Sequence, residues 1–196
     1  MPARTAEPAK GAIRPRIDPK QAACLRLQWR AFFEAMNDTR PVSWYGNAPA
    51  WRLALEAQAR REFGDALTIT EWPGQLEYRI SLDVRGPSQP VDVRVVFHAD
   101  PPYETYGLAP CDYPRVFAER YRPSKHRMPG DDALCLYYPR DPEWRRWTAD
   151  KGLLALLDIV VDHLGFEDIW RATGGFDGGV WPGDEAEHGF AQDAAA

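Results

Sequence analysis

The chain has little of what builds a disulfide framework, a membrane span or a nucleic-acid surface. It holds three cysteines, Cys24, Cys111 and Cys135, an odd number at wide spacing. That usage argues against a cystine framework and for a reducing, cytoplasmic setting. Cys-x-x-Cys and His-x-x-x-His pairs are missing, which leaves Cys111, His126 and Cys135 as a thin combination of metal ligands, so no metal or other cofactor is expected. His98, His163 and His188 stand isolated in the sequence. Long apolar runs are missing as well. The longest, Leu153 to Val161, is broken by Asp158 and is far shorter than the roughly 20 residues that cross a bilayer. The first ten residues contain no apolar core and do not read as a signal peptide. A basic excess is absent too: the net charge of -5 gives no general surface for phosphate backbones.

What is present suits a globular protein. The 196 residues are 44% hydrophobic and 27% charged, with eight tryptophans that supply large packing anchors and candidate interface residues. Residues 1–18 are rich in Pro, Ala and charge and are expected to be disordered. A helix is expected from Pro19 to about Met36, with Asp18 as its cap; residues 19–50 comprise this helix and a connector. Cys24 lies on its apolar face and reads as a core residue.

The main domain is expected over 51–188, with residues 189–196 as a second disordered tail. Trp51, Leu55, Ala59 and Phe63 recur at helical spacing, and Gly64 stops that helix. Three strands should follow. The first covers Ala66 to Thr70, ahead of the turn signal Trp72-Pro73-Gly74. The second places Leu76, Tyr78, Ile80, Leu82 and Val84 on one face and Glu77, Arg79, Ser81 and Asp83 on the other. The third alternates through Val91, Val93, Val95 and Phe97. A fourth is expected around Arg115 to Phe117. A long surface loop, 122–143, carries the apolar island Ala133 to Tyr138. Two helices should close the chain: Gly152 to Leu164, apolar nearly all round and capped by Thr148 or Asp150, and Phe166 to Ala172. This order of elements is an α+β layout in which helices flank a four-strand antiparallel meander.

Cys135 is the strongest candidate for chemistry. A cysteine between two leucines is by itself an inert core residue. Its setting changes that reading, because the island lies in a loop rich in Pro, Gly and Asp, and loops carry sites more often than cores do. A thiol attacks a carbonyl only as a thiolate, which forms best near positive charge, and Lys125, His126 and Arg127 lie just upstream. Other candidates are weaker. The run Gly174 to Gly179 follows a helix and makes a poor phosphate loop; it reads better as a flexible lead to an anchoring Trp181. Asp184, Glu185, Glu187 and His188 read as a solvated acidic face.

The meander, then His126, then Cys135-Leu136, then Trp144 and the closing helices resemble the ubiquitin-conjugating enzymes in their order. Leu134-Cys135-Leu136-Tyr137-Tyr138-Pro139 with Trp144, Trp147, Trp170 and Trp181-Pro182-Gly183 looks like the bacterial branch found in type II CBASS antiphage operons. The resemblance spans about residues 51–188. It implies a UBC-like fold and an enzyme that carries an acyl group on Cys135 as a thioester and passes it to an amine. His126, the match to the family's motif histidine, would shape the loop. The implied partner is a CD-NTase-type nucleotidyltransferase whose C-terminal glycine is the acyl group. The sequence departs from the family where Met128 takes the place of the motif asparagine, because a thioether cannot donate a hydrogen bond to an oxyanion. A backbone N–H near Gly130 or a tyrosine would have to serve instead. Asp132 and Asp141 are candidates to receive the incoming amine's proton. Two competing readings are a catalytically weak module of the same fold that grips the nucleotidyltransferase, and a thiol hydrolase.

Overall fold

The computed structural model describes residues 44–86 and 88–183. The expected N-terminal helix, Cys24 and the acidic cluster from Asp184 to His188 lie outside them. The described chain is α+β. Helix α1, Pro49–Phe63, precedes four strands: β1 Thr68–Trp72, β2 Gln75–Leu82, β3 Val91–His98 and β4 Arg115–Ala118. Helix α2, Gly152–Ala172, closes it. The strands form one antiparallel sheet in the order β1-β2-β3-β4.

Alternation in the sequence sets the register. Leu76 pairs with Phe97, Tyr78 with Val95, Ile80 with Val93 and Leu82 with Val91, so the apolar side chains of two neighbouring strands fall on one face. β4 extends the face through Val95 opposite Val116 and Val93 opposite Ala118. Against it pack Leu55 and Ala59 of α1 and Leu153, Leu156, Leu157, Val160 and Leu164 of α2, all at most 1% exposed. Each such leucine contributes about 1.5–3 kcal/mol by leaving water. Trp147 is wholly buried, and its indole N–H donates to Gly152 O at 2.9 Å, so it anchors the long loop to the start of α2 without an orphaned donor.

The sequence expectations need adjusting in four places. β1 begins at Thr68, two residues late, because Gly64–Ala66 make a 3-10 turn after α1. Glu77, expected on the wet face of β2, is 1% exposed, covered there by ion pairs with Arg79 and Arg94. The expected break near Gly165 does not occur: α2 is one helix of 21 residues. Its buried stripe of Val160, Leu164, Glu167 and Trp170 runs straight past the glycine, and this packing outweighs glycine's cost of about 1 kcal/mol in a helix interior. The first part of α2 is apolar nearly all round, as expected, but the helix is not side-chain capped. Asp158 and Asp162 are exposed, and the turn Ala149–Lys151 precedes the helix with no cap bond from Lys151. Among the described residues no helix is long and apolar enough to cross a membrane.

Candidate functional site

Cys135 stands on a short ribbon formed when the loop after β4 folds back on itself. Arg127 bridges Leu134; Met128 N donates to Ala133 O at 2.7 Å, and Cys135 N donates to His126 O at 3.1 Å. The turn between the two arms needs left-handed backbone at Gly130 (φ 91) and Asp132 (φ 61), the second a conformation that aspartate tolerates better than most residues. Leu134 N donates to Val116 O at 2.7 Å, which ties the ribbon to β4. Leu134 then enters the main core while Met128 and Ala133 fill a smaller one with Tyr113.

His126 and Cys135 therefore meet, but the bond observed between them is through the backbone. The imidazole of His126 packs tilted against Trp181, ring centres 4.3 Å apart, and lies 6.2 Å from the ring of His163. So His163, isolated in sequence, is not isolated in space. Trp181 also contacts Phe166 at 5.8 Å, as an anchor at the end of the glycine-rich lead should. The upstream cations do not act as a group. Arg127 is committed to Ala118 O at 2.8 Å and to Glu167 at 3.3 Å, while Lys125 is exposed.

The surroundings of the thiol are aromatic. Cys135, half-buried, packs on the small core together with Tyr103, Tyr106, Leu108, Phe117 and Tyr137. Tyr103 O–H donates to Tyr113 O at 2.9 Å, Tyr113 O–H to Met128 Sδ at 3.8 Å, and Tyr137 O–H to Asp112 O at 3.1 Å. Met128 is thus a buried packing residue, 4% exposed, whose sulfur accepts a weak hydrogen bond. Burial pushes Tyr103 up to about 12 and raises Tyr113 and Tyr137 as well. These phenols keep their protons near neutrality and are donors, not bases. A cavity of about 10 Å³ in the same wall, lined among others by Tyr113, Arg115, Met128 and Leu136, has room for no more than a water.

The thiol rests protonated. Burial pushes Cys135 up to about 11, and the nearby charge of Arg115 only partly offsets this. At neutral pH the thiolate is then on the order of 1 part in 10⁴. Arg115 is the charged neighbour of the thiol that sequence reasoning missed. It opens β4, is 5% exposed, donates from Nε to Asp131 at 2.7 Å, and lays its guanidinium 3.7 Å from the centre of the Tyr103 ring and 5.1 Å from that of Tyr113. One signal was available: an arginine in a strand that follows a run of tyrosines.

The remaining candidates lie in turns. Asp132 accepts from Tyr121 N at 2.9 Å and so fixes a turn; Asp141 N donates to Tyr138 O at 3.0 Å in another. Cys111 lies in the turn Pro110–Asp112, where burial raises its thiol. No group of three His, Cys, Asp or Glu side chains among the described residues is placed to hold a metal ion.

The fold and site define an α+β domain with a half-buried cysteine set among tyrosines and one buried arginine. No family model, curated protein or solved structure matches the chain.

Proposed function

We propose that this protein is a ubiquitin-conjugating-like acyl transferase with a UBC-like fold, in which Cys135 accepts the C-terminus of a partner protein as a thioester and passes it to an amine. One observation carries the reading: after a four-strand antiparallel meander and before a long closing helix, a loop ribbon tied to β4 holds a half-buried cysteine. The order of elements is compatible with that of the conjugating enzymes, and the cysteine packs beside an aromatic cluster. The partner we propose is a CD-NTase-type nucleotidyltransferase in bacterial antiphage defence of the CBASS type, its C-terminal glycine being the acyl group. The donor must arrive activated, as an acyl adenylate or a thioester, since a free carboxylate is not attacked by a thiolate.

Incubation with the nucleotidyltransferase and its activating enzyme is expected to give a higher-mass species that thiol reductant removes and that Cys135→Ala lacks. An adduct that persists in the alanine variant overturns the mechanism. The raised Cys135 thiol and the buried Met128 favour a second reading, a module that grips the same partner without turning it over. Retention of full cellular function by Cys135→Ala supports that module and excludes the transferase.

A further inference from the structure

Arg115 is buried, and its partners set it apart from the part-buried arginines around α2. Arg127 and Arg171 spend their guanidinium groups on backbone carbonyls and carboxylates around Glu167. Arg115 makes one ion pair, with Asp131, and otherwise offers its flat face to two tyrosine rings. Asp131 uses its second oxygen to accept from Ala133 N at 3.1 Å, two residues before Cys135. The cation is therefore clamped to the same turn that sets the thiol, and Tyr113 touches both Met128 and the guanidinium.

We propose that Arg115 is a positioning residue for Cys135: held by Asp131 and by the faces of Tyr103 and Tyr113, it supplies the fixed positive charge against which the thiolate forms and the carbonyl oxygen becomes an oxyanion. The inference rests on the thioester reading for its substrate, but its effect on the thiol does not. In the step concerned, Cys135 loses its proton to solvent base and its Sγ lone pair forms a C–S bond to the carbonyl carbon of an acyl adenylate or thioester. The C=O pair moves onto oxygen, then returns to expel AMP or the donor thiolate. Met128 gives that oxyanion nothing; a cation in a low-dielectric wall lowers the energy of both charged species. The groups around the thiol are Arg115 from β4, Tyr103, Tyr106 and Tyr113 from the preceding loop, and Asp131 and Tyr137 from the ribbon and its continuation. Arg115 is the one full positive charge among them.

The test measures the full-length protein against two probes, iodoacetamide for thiolate formation and p-nitrophenyl acetate for acyl transfer, with modification of Cys135 read by peptide mass. Arg115→Gln is expected to move the pH midpoint of Cys135 alkylation upward, slowing alkylation at pH 8 about tenfold for every pH unit by which the midpoint rises. It should slow acetylation further still, since alkylation forms no oxyanion. Arg115→Lys restores most of the midpoint. Asp131→Asn leaves the cation un-neutralised and moves the midpoint down with an unchanged near-ultraviolet circular dichroism spectrum, which separates it from a loosened wall that would also lower the midpoint by admitting water; it carries the test if Arg115→Gln fails to fold. Midpoints that stay at the wild-type value in a folded Arg115→Gln, or that fail to fall in Asp131→Asn, overturn the proposal. A shifted midpoint with no partner thioester in the wild type would remove the transferase reading and leave the role of Arg115 standing. A partner thioester with unmoved midpoints would do the reverse.

Discussion

The C-terminal half of α2 and the wall around Cys135 solve the burial of charge in opposite ways. Around α2, carboxylates and guanidiniums are paired many times over. Arg85 forks onto Glu119 at 2.7 and 2.9 Å and also bonds Asp168; Arg171 reaches Glu119, Glu167 and Asp168; Glu167, 0% exposed, also takes Arg127 and Ser124. Burial raises each of these carboxyls, but the bonds to them outweigh it, and Glu119, Glu167 and Asp168 all end below the usual carboxylate range. Around Cys135 one cation stands beside one thiol, and burial wins. Saturated charge fastens β4, the long loop and the helix together. A thiol left with one neighbouring cation is costly to ionise and stays protonated.

The contrast predicts where damage will show. The largest effect is kinetic and belongs to the thiol: alkylation of Cys135 should rise about tenfold per pH unit from 7 to 10 and level off only near 11. A plateau below pH 9 would mean that the wall does not desolvate it. Next is Glu167→Ala, which takes from Arg127 its carboxylate partner and leaves Arg171 with Glu119 and Asp168; it should cost about 3–5 kcal/mol by denaturant unfolding, whereas a loss under about 1 kcal/mol would show the network to be ornamental.

Acid acts on the same region. Carboxyls held below their unfolded values contribute stability that is complete above about pH 4.5, the unfolded value for glutamate, and is lost as pH falls toward the lowered folded values. Circular dichroism across pH 5 to 2 should follow that loss, and Glu167→Ala should blunt it. Cys135→Ala, by contrast, should cost only about 1 kcal/mol, which makes it a clean probe of chemistry. The smallest change should be a gain. A Cβ at Gly165 in α2 would meet nothing within 4 Å, and the backbone there is not left-handed, so Gly165→Ala should stabilise by about 0.5–1 kcal/mol. A loss there would mean that the helix needs its glycine.

Legibility in the sequence followed the range of the interactions. β2 and β3 could be read because alternation at Leu76 to Leu82 and Val91 to Phe97 is local, and α1 because Leu55 and Ala59 recur one turn apart. Sequence alone divides α2 because glycine is a local signal, whereas the burial of Trp170 and Glu167 that overrides it comes from distant chain. Cys135 could be singled out as a candidate from its loop and its place after the meander. Arg115 could not be linked to it, because the link runs through Asp131, 16 residues away, and through ring faces that no spacing encodes. The same holds for Glu77, whose wet-face position is hidden by Arg94 from the neighbouring strand.

The central claim, that Cys135 carries an acyl group, is tested most directly by Cys135→Ser with the activated nucleotidyltransferase, followed by intact mass before and after thiol reductant and hydroxylamine. An acyl group on this side chain becomes an oxyester in the variant: the wild-type adduct should fall to reductant, while the serine adduct should survive it and fall to hydroxylamine. A serine variant whose adduct still falls to reductant places the acyl group on another cysteine and contradicts the claim.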